Sequence, residues 1–289
     1  MQQLNYLHPN TLEECLAALH RAEGTALPYA GGTDVMIHLR ERTEHMRKMR
    51  SLVDLSGLPE LRGITLGDGM IRLGAMNTHT EVATSPLLKK HAPFLSDAAA
   101  TVGSLQIRNA GTIGGNVCNG SPAADTVTPL VALDAQAVLA CVSGTRTVPV
   151  VELYGRAGMA LKPDELLLAF LFPSFAAWST AFLKLGRRKA LAISRMNVAA
   201  ALRLDNGRIQ EARISPGCVF RTPDRVRNAE EILIGQSPSK ELFAQAGVLA
   251  AEEMIRRTGV RWSTEYKQPV LEALVERALL EAAGLRTEA

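Results

Sequence analysis

Hydrophobic residues near the start of the chain recur first at helical and then at strand intervals. Apolar residues at helical spacing predict an amphipathic helix over residues 12–22, and Thr11 and Glu14 have the spacing of a capping box at its start. Two short apolar runs, at 26–30 and 51–55, predict buried strands on either side of a helix or short turn. The N-terminal part therefore mixes strands with helices.

The middle of the chain is divided into shorter segments. Residues 61–75 alternate short apolar stretches with the turn Gly67-Asp68-Gly69, a pattern that predicts strands. Helices are predicted from His79 to about Ser85 and from Pro93 to Val102. Residues 138–150 predict a hairpin with a Ser-Gly turn at its tip.

The C-terminal part has the pattern of a separate unit. Residues 198–204 and 208–214 predict paired strands, because Asn206-Gly207 between them tolerates the positive φ angles of a tight hairpin. One helix is predicted to begin near Ser237-Pro238, and a last helix with one apolar face to end near Gly284. This order of elements is typical of an α+β domain.

Composition narrows the class of protein. The chain has 289 residues, which predicts two or three domains, and its 47% hydrophobic and 21% charged residues are ordinary for a soluble globular protein. A net charge of +3 and an aromatic content of 4% give nucleic-acid binding little support. No apolar run approaches the roughly 18 residues of a membrane helix, and the first residues do not resemble a secretory signal. We therefore expect a cytoplasmic protein without a membrane span.

The spacing of cysteine and histidine residues predicts no metal site. The four cysteines form no C-x-x-C pair, so a disulfide framework, a zinc site and a chain-borne iron–sulfur cluster all lack support. These cysteines are Cys15, Cys118, Cys141 and Cys218. None of the six histidines has the spacing of metal ligands. We expect reduced cysteines and no metal bound by this chain.

The first segment with candidate chemistry is a glycine turn after the strand predicted at 26–30. Gly31 and Gly32 leave successive backbone N–H groups open to an approaching anion, and Thr33 adds a hydroxyl donor. This arrangement suits a diphosphate, although it is neither a Walker loop nor a G-x-G-x-x-G motif. A plain tight turn is the alternative interpretation.

The second such segment is the polar run 106–125, which is predicted to be a loop. Between Gly111 and Gly120 it holds four glycines, two asparagines and one threonine, so it contributes little apolar burial and its backbone needs polar partners. Asp125 at its end can accept hydrogen bonds from ribose or ribityl hydroxyls. A Gly/Asn-rich surface loop without a ligand is the alternative.

Together these two segments resemble a known family of flavoproteins. The pairing of A-G-G-T-D at 30–34 with Q-I-R-N-A-G-T-I-G-G-N-V-C-N-G-S-P-A-A-D at 106–125 is similar to the FAD subunit of molybdenum hydroxylases, a group that includes xanthine dehydrogenases and carbon monoxide dehydrogenase. The resemblance covers nearly the whole chain, including F-L-K-L-G-R-R at 182–188 and R-W-S-T-E-Y-K at 261–267. T-I-G-G-N after Q-I-R-N is quite specific, whereas the single Gly-Gly turns are not.

The resemblance implies an α+β chain in three parts that binds one FAD without a covalent bond. Two FAD-binding subdomains of the vanillyl-alcohol-oxidase/PCMH type would span 1–59 and 60–176, and a C-terminal domain with an antiparallel sheet and helices would span 177–289. The cofactor-binding residues that it implies are Ala30, Gly31, Gly32, Thr33 and Asp34 on one side of the diphosphate, Thr112, Gly115 and Asn116 on the other, Asn119 and Asp125 at ribityl or ribose hydroxyls, and Leu167 and Lys184 near the flavin.

Two features of some relatives are missing from this sequence. Neither 100–103 nor 189–192 contains an aromatic residue that would lie against the flavin ring, so the shielding of the flavin from dioxygen is open. The chain also lacks the cysteine-rich insertion that carries an extra iron–sulfur cluster in some relatives.

Basic residues suggest a further ligand. Arg187-Arg188-Lys189 would suit an anionic nicotinamide dinucleotide, and a solvated charged turn is the equal alternative. A second basic cluster is expected to be a solvated surface or a subunit contact, and it consists of Arg40, Arg42, Arg47, Lys48 and Arg50.

The function implied by the resemblance is electron transfer. FAD would carry the redox chemistry, so no catalytic side chain is predicted. The chain would take electrons from a [2Fe–2S] partner and pass them from FAD to NAD⁺ or another acceptor, in a dimerised heterotrimer with an iron–sulfur subunit and a molybdopterin subunit. Two alternatives stay open, a free-standing flavoenzyme acting on a small substrate and a non-enzymatic nucleotide-binding or scaffold subunit.

Overall fold

The computed structural model describes residues 4–155, 158–188 and 191–285, apart from the side chain of His45. The chain forms two compact units. The first contains residues through Val82, Ser104–Gly120 and Ala135–Pro173, and the second contains Ala83–Gly103, Ser121–Asp134 and the chain from Ser174 onward. The division at residues 59 and 176 that the resemblance implies stays a prediction.

The first unit has two main sheets and a small hairpin. Its strands are β1 (Asn5–Leu7), β2 (Ala26–Tyr29), β3 (Ser51–Asp54), β4 (Ile64–Gly67), β5 (Met70–Gly74), β6 (Gln136–Cys141), β7 (Gly144–Pro149), β8 (Tyr154–Gly155), β9 (Gly158–Met159) and β10 (Leu166–Pro173). The parallel sheet has the order β1-β3-β2, and the antiparallel sheet has the order β4-β5-β10-β6-β7.

Short helices connect these strands. They are α1 (Leu12–Arg21), α2 (Val35–Glu41), α3 (Glu44–Lys48), α4 (His79–Thr84), α7 (Leu105–Ala110) and α8 (Ile113–Cys118), of which α4 runs across the boundary of the two units. The predicted first helix is confirmed, because the Thr11 hydroxyl accepts a hydrogen bond from the Glu14 N–H at 3.2 Å. Its inner face buries Cys15 and Leu19 against Val53 in a core of this unit.

The second unit is an antiparallel sheet with helices. Its strands β11 (Ser179–Gly186), β12 (Ser194–Asp205) and β13 (Arg208–Gly217) pair in that order. Its helices are α5 (Pro86–His91), α6 (Pro93–Ala100), α9 (Val127–Ala132), α10 (Arg227–Glu231), α11 (Lys240–Thr258) and α12 (Thr264–Ala282). The predicted hairpin is confirmed, since Asn206 and Gly207 have φ angles of +48° and +74°.

The two long helices of this unit pack closely on each other. A Cβ on Gly247 of α11 would lie 2.5 Å from the Glu272 carbonyl oxygen of α12, so glycine permits the backbone approach. The apolar face predicted for the last helix is buried at Leu271, Val275 and Leu279. The fold class α+β is therefore confirmed.

Three sequence predictions differ from the structure. The segment 106–125 is not one loop, because α7 covers its start and α8 lies within it. Both helices begin at hydroxyl caps, where Ser104 accepts from the Ile107 N–H and Thr112 from the Gly115 N–H. The helix predicted to begin near Ser237 is capped by Ser239 instead. The helix from Pro93 ends at Ala100, two residues earlier than predicted.

Candidate cofactor site

The segment Ala30–Asp34 follows β2 directly and belongs to the first unit. Among the described residues, none accepts a hydrogen bond from the backbone N–H groups of Gly31, Gly32, Thr33 or Asp34. Gly32 has a φ angle of +69°, which favours glycine. Four consecutive N–H groups without acceptors are suited to an anion such as a diphosphate.

Gly31 lies against the second glycine segment. A Cβ on Gly31 would be 1.9 Å from the carbonyl oxygen of Ala110 and 3.0 Å from the Cα of Gly111. This distance is shorter than any real contact, so only glycine allows the two backbones to meet. Across the same junction, the Asn119 amide donates to the Asp34 carboxylate at 3.2 Å. The structure therefore brings the two predicted segments together.

Four of the five N–H groups of the T-I-G-G-N segment, those of Ile113 to Asn116, already have acceptors within the protein. Ile113 and Gly114 donate to the carbonyls of Asn77 and Ala75 at 3.0 and 2.8 Å. Gly115 donates to the Thr112 hydroxyl at 3.1 Å, and Asn116 to the Thr112 carbonyl at 2.9 Å. These bonds fix the backbone conformation of the segment. The direct contacts from Thr112, Gly115 and Asn116 to the cofactor stay a prediction.

Residues 75–79 form a third element of this region that the sequence reasoning missed. Besides the two carbonyl contacts above, the His79 N–H donates to the Gly111 carbonyl at 3.0 Å. A sequence signal was present, because Thr78 and Glu81 form a reciprocal capping box with bonds of 3.2 and 2.7 Å. The segment thus fixes the glycine-rich backbone from one side.

The surroundings of His79 shift its pKa strongly. It is 2% exposed, and burial, assisted by the charge of Arg108, lowers the pKa of its imidazole to about 4. The imidazole is therefore neutral at physiological pH. Its Nδ1 and the Oδ1 of Asn77 are buried and have no hydrogen-bond partner among the described residues.

Leu167 lies in β10, where it is 5% exposed and pairs with Leu139 of β6. The pairing shifts register between Leu167 and Ala169, and the intervening Leu168 carbonyl accepts from the Ala75 N–H at 2.9 Å. A β-bulge of this kind re-aims backbone groups. The predicted backbone contact from Leu167 to the flavin stays a prediction.

Asp125 and Lys184 lie together in the second unit and form a largely buried ion pair. The Lys184 ammonium donates to the Asp125 carboxylate at 2.6 Å and to the Thr101 carbonyl at 3.0 Å. Ser194 and Asn197 donate to the other oxygen of the same carboxylate at 2.5 and 3.0 Å. Two of the three Lys184 N–H groups are therefore used, and the third has no acceptor among the described residues.

The basic residues are mostly exposed. Arg187 and Arg188 are in the turn after β11, and Lys189 lies outside the described residues. In the second basic cluster, Lys48 pairs with Glu44 at 3.3 Å and the Arg47 guanidinium donates to the Arg42 carbonyl at 2.9 Å. This cluster therefore has the contacts of a solvated surface.

Neither a metal-binding cluster nor a membrane-spanning helix occurs among the described residues. Their His, Cys, Asp and Glu side chains form no group of three or more that would hold a metal ion, and their cysteines are free thiols. None of their helices is long and apolar enough to cross a membrane.

The fold and the glycine cradle, formed by residues 30–34 and 111–116, are those of a flavoprotein with an FAD-binding part and a C-terminal part. Residues 2–175 match the model of the FAD binding domain in molybdopterin dehydrogenase, and residues 181–282 match that of the CO dehydrogenase flavoprotein C-terminal domain. The chain belongs to the family of FAD-binding medium subunits of molybdenum hydroxylases, and is an oxidoreductase subunit.

Curated relatives support this assignment over most of the chain. The xanthine dehydrogenase FAD-binding subunit of Escherichia coli O157:H7 is 34% identical over 257 residues, which cover 88% of this chain and 87% of the relative. The nicotinate dehydrogenase FAD-subunit of Eubacterium barkeri is 32% identical over 288 residues, which cover 97% and 96%.

Solved structures have the same fold. Carbon monoxide dehydrogenase from Hydrogenophaga pseudoflava contains a chain with a TM-score of 0.90 and 27% identity, with 99% of both chains covered. Quinoline 2-oxidoreductase from Pseudomonas putida 86 contains one with a TM-score of 0.89 and 28% identity, with 98% of both covered.

Proposed function

We propose that this chain binds one FAD non-covalently and transfers electrons through it from a [2Fe–2S] partner subunit to NAD⁺ or another diffusible acceptor. The observation that carries the proposal is the run of four N–H groups from Gly31 to Asp34 that have no acceptor among the described residues. Glycine at 31 leaves no side chain between this backbone and Ala110. The residues present therefore fit a diphosphate.

FAD, when bound, supplies the redox chemistry. The chain's own residues hold and orient it. The N–H groups of Gly31–Asp34 would donate to the diphosphate oxygens, while Asn119 holds Asp34 and so fixes the end of the segment. Thr112, Gly115, Asn116, Asn119, Asp125, Leu167 and Lys184 are the further cofactor contacts that we propose from the family resemblance.

Non-covalent binding is supported by the absence of a nucleophile where the cradle is built. Residues 30–34 and 111–116 contain neither cysteine nor histidine. Cys118 is two residues beyond, and burial raises the pKa of its thiol to about 12, so the thiolate is scarce at neutral pH.

A partner surface is supported by large apolar side chains that stand in solvent. In the second unit Val260, Trp262 and Ile193 are 81%, 96% and 80% exposed. Single exposed apolar residues are ordinary, but exposing almost the whole side chain of a tryptophan to water is unfavourable. Such a side chain is suited to a contact with another subunit. The relatives are described as subunits or medium chains, and we propose an iron–sulfur subunit and a molybdopterin subunit as partners, in a dimerised heterotrimer.

The test compares two samples, the chain purified alone and the complex in which the chain co-purifies with its partners. The chain should carry about one FAD, and acid precipitation should release all of the flavin into the supernatant. When the substrate of the complex is added, the complex should reduce NAD⁺ or another acceptor, and the chain alone should not. Flavin that stays in the pellet would refute non-covalent binding. Turnover of a small substrate by the chain alone, at full rate, would replace the subunit with a free-standing flavoenzyme.

A further inference from the structure

Tyr29 ends strand β2 immediately before the glycine segment 30–34, and its ring lies against Gly32 of that segment. A Cβ on Gly32 would be 2.4 Å from the Tyr29 hydroxyl oxygen and 2.7 Å from Cζ. No side chain fits at residue 32 while the phenol is there. The Tyr29 hydroxyl is therefore in direct contact with the backbone whose N–H groups lack acceptors.

A neighbouring tyrosine gives a contrast within the same unit. Tyr6 packs edge-on against Tyr29, with ring centroids 6.3 Å apart and planes at 69°. The Tyr6 hydroxyl donates to the Asp54 carboxylate at 2.7 Å, and this bond raises the pKa of Tyr6 to about 12. The Tyr29 hydroxyl, by contrast, has no hydrogen-bond partner among the described residues, and Tyr29 is partly exposed.

We propose that Tyr29 is a further cofactor-binding residue, whose hydroxyl donates a hydrogen bond to the FAD diphosphate held by Gly31–Asp34. This inference rests on the proposed FAD site. A phenol is a neutral donor, and a hydrogen bond from it to a phosphate oxygen is charge-assisted. Tyr6 packs edge-on against the ring and Gly32 leaves room for its hydroxyl, so the donor is oriented before the ligand arrives.

The competing explanation is that the Tyr29 ring only supports the segment by packing. Replacing Tyr29 with phenylalanine separates the two, because the ring and its contact with Tyr6 remain and only the hydroxyl is lost. Tyr6→Phe is the matched control, since it removes a hydroxyl from the same aromatic pair but one that bonds Asp54 rather than facing the glycine segment.

The experiment measures dissociation constants of the full chain for FAD and for ADP, which carries the diphosphate without the flavin. Loss of a hydrogen bond to a charged group should weaken both about tenfold or more in Tyr29→Phe. Tyr6→Phe should lower the unfolding temperature and leave both constants within about twofold.

Three other outcomes are decisive. Equal affinities in Tyr29→Phe and wild type would overturn the hydroxyl contact and leave the FAD site standing. A loss for FAD without a loss for ADP would overturn its assignment to the diphosphate. A wild-type chain that binds neither ligand would refute the proposed function and this inference with it.

Discussion

Gly31→Ala tests the glycine cradle most directly. The new methyl group would lie 1.9 Å from the Ala110 carbonyl oxygen, where ordinary contacts begin at 3.4 Å, so the two backbones must separate by more than about 1 Å. Such a shift would remove the alignment of at least two N–H groups with the diphosphate. Hydrogen bonds to charged groups contribute roughly 1.5–3 kcal/mol each, so the dissociation constant for FAD should rise at least about a hundredfold.

The assay is a titration of flavin-free protein with FAD, with thermal unfolding to confirm that each variant folds. Gly67→Ala is the matched control in the same unit, because a Cβ there meets no atom within 4 Å and Gly67 has no positive φ angle. It should bind FAD as wild type does. Gly115→Ala should be intermediate, since its Cβ would meet only the Thr112 hydroxyl at 2.9 Å. A folded Gly31→Ala protein that binds FAD within threefold of wild type would refute the reasoning.

Three further predictions concern stability, and each is measured by chemical denaturation. Burial alone would raise the pKa of Asp54, but hydrogen bonds from Tyr6, Ser56 and His8 outweigh burial and lower this pKa from 3.8 to about 2. Asp54→Asn should therefore lower the free energy of unfolding by about 2 kcal/mol at pH 7. The difference from wild type should vanish as the pH falls to about 2. The pKa of His79 falls from 6.5 to about 4 on folding, so the free energy of unfolding of wild type should drop by roughly 3 kcal/mol as the pH falls from 6.5 to 4. His79→Gln should lack that decrease. Arg225, with a side chain 6% exposed, forms a bidentate pair with Glu230 at 2.6–2.9 Å; Arg225→Met should destabilise the protein by about 3–5 kcal/mol, and a change under 1 kcal/mol would contradict a buried pair.

Signals carried by neighbouring residues could be read directly from the sequence. The capping residues of α1, the Asn-Gly hairpin between β12 and β13 and the apolar face of α12 each depend on spacings of four residues or fewer. The family was indicated by the resemblance of the segments at 30–34 and 106–125, and the structure shows that Gly31 in the first of them permits a close backbone approach.

Helices within the polar run 106–125 were missed because its composition favours a loop. The hydroxyls of Ser104 and Thr112 cap two short helices there, and the carbonyls of Ala75 and Asn77 accept N–H groups at the start of the second. Short helices have little intrinsic stability, so their formation depends on such partners elsewhere in the chain.

The sequence alone determined the α+β class and the two glycine segments, since local spacing and the absence of side chains encode them, and resemblance to known flavoprotein subunits indicated the family. Only the tertiary structure decided that Gly31 meets Ala110, that residues 75–79 hold the T-I-G-G-N segment, and that Asp125 is paired with Lys184, Ser194 and Asn197. These partners are separated by about 30 to 80 residues, and burial in a packed interior, rather than any local preference, is what selects them.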